Sequence, residues 1–213
     1  MPILVTDFDG TFARRDFFDL ILEHHNPPGA RAGWQQFLDG KVTLTEGLNA
    51  VFTTLRTDEA GVAALVAALD PAPGTAAAVR RLQAAGWEIE VASAGCGWYI
   101  ERLLQGLDLK ITVHASPGVF APDSGLRMTP DPRRPFHHPS TGIDKPAVVR
   151  AALARDLQVA YAGDSTTDRA AALLAAPAQR FATGWLARRF AADEIPHVPF
   201  RAWPEIVDHL LGS

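Results

Sequence analysis

Two aspartates stand one residue apart in "VTDFDGTF" (5–12), at the end of an apolar run and directly before Gly10 and Thr11. In an extended chain residues i and i+2 project to the same side, so Asp7 and Asp9 emerge together and repel one another. A divalent cation and a phosphoryl group between them make sense of the pair. Mg²⁺ takes oxygen ligands, keeps several waters, and binds through one or two carboxylates plus a substrate phosphate. With the repulsion offset in this way, one carboxylate is free to attack phosphorus as a covalent nucleophile. The other can carry a proton to the leaving oxygen. Gly10 lets the backbone turn sharply off the strand with its N–H groups facing the phosphate.

Three further stretches carry residue types that such chemistry needs. "VASAG" (91–95) ends an apolar run with Ser93, a hydroxyl donor, followed by the small residues Ala94 and Gly95, whose amides can approach a phosphate oxygen. "GIDKP" (142–146) places Lys145, a compact positive charge suited to phosphate, at a helix start. "YAGDSTTD" (161–168) ends another apolar run with Asp164 and, four residues on, Asp168. Taken singly, Ser93 reads as a helix N-cap, Lys145 as a solvated lysine, and the two aspartates as a helix start. Taken together, they supply carboxylate, hydroxyl, ammonium and carboxylates again. The three strand-borne groups all fall at carboxyl ends, the one sheet edge where they can converge.

The elements that must position these residues follow from periodicity. Apolar or β-branched runs at 3–8, 87–93, 109–115 and 157–163 read as strands, and helical patterns lie between most of them. The alternation predicts an α/β fold, a Rossmann-like open parallel sheet with helices on both faces. One helix follows Pro73-Gly74 and stops at Gly86; the next carries Ile100, Leu103, Leu104 and Leu107 as a single stripe. The tail from Arg180 to Phe200 predicts a short strand, a helix and an edge segment. Residues 14–72 break the pattern. They hold two stripes, Leu44-Leu48-Val51-Phe52-Leu55 and Val62-Leu65-Val66-Leu69, without a strand, and are punctuated by "NPPG" (26–29) and "DPAPG" (70–74). The expected division is a small all-helical cap at 14–72 over a core made of 1–13 and 73–213. The stretch 116–142, rich in Pro, Gly and Ser, predicts a long loop with a short hairpin around "APDSG" (121–125). Its Arg133, Arg134, His137 and His138 could meet an anionic ligand or equally stand solvated, and the adjacent histidines give no metal-ligand spacing.

Composition excludes several classes. With 213 residues, 47% hydrophobic and a net charge of -4, the chain is that of an ordinary globular protein with no electrostatic footprint for nucleic acid. No window approaches the roughly 18 uninterrupted apolar residues of a membrane span. The single cysteine, Cys96, rules out an intrachain disulfide and reads as a small buried residue. The N-terminus reaches its first acid within seven residues, too soon for a secretory h-region, so the expected location is cytoplasmic.

"DFDGT", the Ser of "VASAG", the Lys of "GIDKP" and "GDSTTD" occur in the order and context of the four motifs of the haloacid dehalogenase-like phosphatases, and the chain resembles that family over nearly its whole length. The resemblance implies Asp7 as nucleophile, Asp9 as general acid and then base, and Lys145 with Ser93 as phosphoryl binders. Thr11 and Ala94 join them as substrate-binding residues. It implies Mg²⁺ held at Asp7, Asp9, Asp164 and Asp168, with Asp168 on a metal-bound water or orienting Lys145. The insertion after the first motif is similar to the type 1 helical cap of the phosphoserine phosphatase group. Asp16, "GDSTTDRAAA" and the tail are closer to the methylthiopentenyl-phosphate phosphatases of methionine salvage. The implied substrate is a small phosphorylated metabolite, the implied state a monomer or homodimer, and Asp16 with one of Arg14 and Arg15 stands where a cap meets a leaving group. Phosphoserine hydrolysis and a non-catalytic binding protein on the same fold are the alternatives. The second predicts a damaged motif, and all four motifs are intact.

Overall fold

The structure, a computed structural model, describes residues 1–25, 29–156 and 158–212. The Asn26-Pro27-Pro28 part of the first breaker, and Leu157, lie outside the described residues. Strand β1 (Ile3–Thr6) is followed by four helices, α1 (Phe17–His25), α2 (Ala30–Leu38), α3 (Leu44–Phe52) and α4 (Glu59–Ala67). Then come α5 (Thr75–Ala84), β2 (Glu88–Cys96), α6 (Gly97–Gly106), β3 (Thr112–Ser116), β4 (Gly118–Ala121) and β5 (Gly125–Met128). The chain continues through α7 (Lys145–Arg155), β6 (Val159–Gly163), α8 (Arg169–Ala172), β7 (Arg180–Ala182), α9 (Gly184–Ala192), β8 (Val198–Pro199) and α10 (Trp203–Leu211).

Six strands form one parallel sheet in the order β3-β2-β1-β6-β7-β8. The order reverses between β1 and β6, and in open α/β sheets the crevice at such a reversal, beyond the carboxyl ends of the strands, is where ligands bind. Strand β1 shows why the sheet is covered on both sides. Alternate residues face opposite ways, and here Leu4 joins one buried cluster while Ile3 and Val5 join the other. The first cluster packs α5, α6 and α10 on one face; the second packs α7, α8 and α9 on the opposite face.

The helices between β1 and α5 share the first cluster through Phe17, Leu20, Ile21, Val51, Phe52 and Val62. Their ends are written in the sequence: Thr43 and Glu46 form a capping box at the start of α3, and Asp58 caps α4 through the Gly61 amide. The chain enters and leaves this helical segment side by side, with Ala13 bridging both Asp9 and Pro71. Strands β4 and β5 make the antiparallel hairpin expected around "APDSG". The hairpin docks on α3, where the Asn49 amide donates to the Met128 carbonyl at 3.1 Å and accepts from the Met128 N–H at 2.8 Å.

Two boundaries differ from the sequence reading for local reasons. Strand β2 runs on to Cys96, so the helix after it starts past Ser93 and Ser93 does not cap it. Strand β3 begins only at Thr112, because the Leu109 N–H still closes the preceding helix on the Leu104 carbonyl at 2.9 Å.

Candidate active site

Asp7 is delivered by the strand end that the sequence pattern points to. Its N–H extends the β1–β6 ladder by donating to the Ala162 carbonyl at 2.8 Å. One residue earlier, the buried Thr6 hydroxyl donates to the Asp7 carbonyl at 2.8 Å and accepts from the Trp203 indole N–H at 3.3 Å, which pins the backbone. Lys145, the first residue of α7, is held by a helix start in which the Asp144 carboxylate caps the Ala147 amide at 2.9 Å and Pro146 follows. Its ammonium lies 2.8 Å from Asp7 Oδ1 and 2.7 Å from Asp168 Oδ1, with all three side chains buried. Asp164 extends from the end of β6, and Gly10 makes room for it: Gly10 has φ of 73°, and a Cβ there would lie 2.6 Å from Asp164 Oδ2.

These groups floor a cavity of about 260 Å³. Asp7, Asp9, Asp16, Ser93, Ala94, Lys145 and Asp164 all line it, so the structure brings together seven of the nine residues singled out in the sequence. Ser93 Oγ accepts from the Gly95 amide at 3.0 Å, which leaves its hydroxyl proton free to donate. The other two residues sit behind the wall. Thr11 does not reach the substrate space; its hydroxyl donates to Asp164 Oδ1 at 3.4 Å and so braces a carboxylate. Asp168 is fully buried, accepting from Lys145 and from Tyr161 Oη at 2.6 Å on one oxygen, and from the Ser165 amide at 2.9 Å and hydroxyl at 2.7 Å on the other. Both Asp168 oxygens are thus engaged, one of them by the Lys145 ammonium.

Asp9, expected beside a metal together with Asp7, Asp164 and Asp168, has both carboxylate oxygens engaged by hydrogen bonds. Its Oδ1 accepts from the Phe17 amide at the start of α1 at 3.1 Å and its Oδ2 from Tyr99 Oη of α6 at 2.6 Å. Among the described residues, the carboxylates with oxygens within 4.8 Å of one another are Asp7, Asp164 and Asp168, without Asp9.

Charge in the cavity is lopsided. Burial, then Asp168, push the Asp7 carboxyl well above its ordinary range against the pull of Lys145. Burial and Asp168 likewise push Asp164 up to about 7, and burial raises Asp16 to about 6. Burial alone would lower Lys145, but Asp168 and Asp7 outweigh it and hold the ammonium charged. A hard cation fits this donor set: all-oxygen ligands on buried carboxylates whose negative charge Lys145 alone does not balance. Asp7, Asp164 and Asp168 are the carboxylates that could hold such a cation, and of these Asp168 already has both oxygens bonded to protein donors.

The roof was not legible from motifs. Phe18, Trp34, Phe37, Leu44, Leu48 and Phe52 come from α1, α2 and α3 and make it apolar, with Trp34 packed 4.4 Å from Phe18 and 4.8 Å from Phe37 between ring centroids. Trp98, the tryptophan nearest Ser93 in sequence, packs on Phe120 under the Arg102 guanidinium and is not part of the roof. Arg14 and Arg15 turn outward to pair with Asp70 and Glu23. Arg133 pairs with Asp131 at the surface, and His138 accepts hydrogen bonds from its own loop. Cys96 is a buried thiol that burial pushes up to about 12, so it is no nucleophile.

A model of the family described as haloacid dehalogenase-like hydrolase matches residues 4–173, a span that holds all four motifs. The chain belongs to the haloacid dehalogenase-like hydrolases. Among the relatives of this hydrolase is a 2-hydroxy-3-keto-5-methylthiopentenyl-1-phosphate phosphatase of Brevibacillus brevis, 27% identical over 96% of this chain and 93% of that protein. The phosphatase of the same name from Geobacillus thermodenitrificans is 26% identical over 98% and 94%. A substrate-bound phosphoserine phosphatase shares the fold with a TM-score of 0.66 at 14% identity, over 98% of this chain and 97% of that one. No described helix of the hydrolase is long and apolar enough to cross a membrane.

Proposed function

We propose that this hydrolase is a Mg²⁺-dependent phosphomonoesterase of a small metabolite with an uncharged, partly apolar leaving group. 2-Hydroxy-3-keto-5-methylthiopentenyl-1-phosphate, the ester named for the relatives above, is the best-fitting candidate. Asp7 attacks phosphorus as the P–O bond to the leaving group breaks, and Asp9 delivers its proton to that leaving oxygen. Asp9 then takes a proton from the water that attacks the aspartyl-phosphate. The Asp7–phosphorus linkage breaks, inorganic phosphate departs, and Asp9 is again protonated. Mg²⁺, when bound, offsets the charge of the phosphoryl oxygens and of Asp7. Lys145 and Ser93 hold the phosphoryl oxygens, and the helical segment 14–72 serves as the cap that keeps bulk water out.

One observation carries the choice of substrate: the floor holds phosphate chemistry, while the roof is Phe18, Trp34, Phe37, Leu44, Leu48 and Phe52. Lys145 is the only cation among the described lining residues, and it is already bound to Asp7 and Asp168. The carboxylate of phosphoserine would enter such a pocket unpaired, at a cost of several kcal/mol. An alkylthio tail is received by the aromatic roof. The test is a panel of phosphate esters with Mg²⁺, read by phosphate release. The reading expects the methylthio enol ester to lead and O-phospho-L-serine to trail by tenfold or more, about 1.4 kcal/mol. Phosphoserine as the best substrate would move the protein to amino-acid phosphate hydrolysis.

A further inference from the structure

Tyr99 belongs to none of the four motifs, yet it is built into the site from three sides. Its hydroxyl donates to Asp9 Oδ2 at 2.6 Å, and the residue is 1% exposed. That ring stacks on Phe17 at 4.3 Å, and the Phe17 N–H donates to the other Asp9 oxygen at 3.1 Å. Phe52 of α3 closes on the same ring edge-on at 6.2 Å. Gly95 leaves the space for this contact: a Cβ there would lie 1.9 Å from the Tyr99 hydroxyl and 2.9 Å from Asp9 Oδ2. Gly95, two residues after Ser93, therefore serves Tyr99 as well as any phosphate oxygen.

We propose that Tyr99 is a positioning residue for Asp9: its hydroxyl, with the Phe17 amide, holds the carboxyl group toward the helical segment and away from the Asp7–Asp164–Asp168 cluster. The inference rests on the phosphatase reading and deepens it. A carboxyl group two residues from the nucleophile has two destinations, the cation and the leaving oxygen. Only the second is useful for proton transfer, and a cation attracts carboxylates. Tyr99 decides between them by geometry. Because Phe17 and Phe52 pack on the same ring, the general acid is set in place by the same helices that roof the leaving group.

The experiment compares Tyr99→Phe with the unaltered protein in single-turnover release of alcohol from an alkyl phosphate and of nitrophenol from p-nitrophenyl phosphate, each with Mg²⁺. Nitrophenolate leaves with little protonation, so misplacing the acid has to show on the alkyl ester. The expected result is a loss of roughly tenfold to a hundredfold on the alkyl ester and less than about threefold on the aryl ester, with KM unchanged. In an Asp9→Asn background Tyr99→Phe should add nothing. Tyr99→Met, which removes the hydroxyl but keeps an apolar side chain in the same space, should reproduce the selective loss and serves as the test if Tyr99→Phe folds poorly. Calorimetric titration of Tyr99→Phe with Mg²⁺ should show tighter binding, since Asp9 is then free to join the cation. Equal losses on both esters, a further loss in the Asp9→Asn background, or unchanged rates would overturn the role of Tyr99 while leaving the phosphatase reading standing. No turnover of either ester by the unaltered protein would overturn both.

Discussion

Replacing Lys145 with Met keeps the buried volume and removes the ammonium that sits between Asp7 and Asp168, at 2.8 Å and 2.7 Å. Breaking a buried ion pair from one side leaves uncompensated charge, so the variant should lose about 3–5 kcal/mol of unfolding free energy in chelator. The loss should depend on pH, and its sign follows from the directions of the shifts. In the intact protein Lys145 is raised, so its contribution is complete below the ordinary lysine range and is lost only as pH rises through its higher folded value. For Asp168, burial pushes upward but Lys145, Tyr161 and Ser165 outweigh it, so its contribution is complete above the ordinary carboxylate range and is lost as pH falls through the lower folded value. Both groups stay charged between about pH 5 and about pH 8, and the pair contributes evenly across that window. Without the ammonium, burial raises Asp168 and lifts Asp7 further. The folded variant then binds protons that the unfolded chain does not, and its stability falls as pH rises. The destabilisation should be about 1–2 kcal/mol larger at about pH 8 than at about pH 5. Urea unfolding of both proteins at the two pH values measures it, and Mg²⁺ should restore part of the stability by binding the folded state. A difference under about 1 kcal/mol, or one flat with pH, would refute the view that Lys145 balances this buried charge.

Removing the metal with chelator should abolish phosphate release and Mg²⁺ should restore it, whereas Ca²⁺, with its longer and looser coordination, should inhibit; turnover in chelator would contradict the metal-assisted reading. Asp7→Asn should eliminate covalent labelling by phosphate ester, checked by intact mass, while Asp9→Asn should keep the label and slow its formation by about 10²- to 10⁴-fold on alkyl esters. Gly10→Ala forces a Cβ to 2.6 Å from Asp164 Oδ2 at a φ of 73°, so it should weaken Mg²⁺ binding by calorimetry as well as stability. Asn49→Ala leaves both backbone groups of Met128 without their side-chain partner and should cost about 1–3 kcal/mol in urea unfolding.

The parallel sheet, the helical segment after β1, the hairpin at 118–128 and the floor of the cavity were legible in the sequence because each is a local signal. Apolar runs end in Asp7, Ser93 and Asp164, and the rule that such ends meet at one sheet edge is general. Lys145 was legible through its place in "GIDKP". What tertiary structure decided is which way each side chain points and what covers it. Asp9 and Asp7 emerge from the same stretch, yet Asp9 is bonded to Tyr99 and the Phe17 amide and lies outside the group formed by Asp7, Asp164 and Asp168. Thr11 and Asp168, spaced as site residues, end behind the wall because each finds a buried partner, Asp164 and Lys145. The roof comes from three helices, of which the sequence showed an apolar stripe only for the one at 44–55. Phe18, Trp34 and Leu44 become pocket because the segment is draped over the strand ends, and no spacing within a single helix carries that information. A sequence records which residues are apolar and how they repeat; whether such a residue faces a neighbour or a substrate is settled only when distant segments meet.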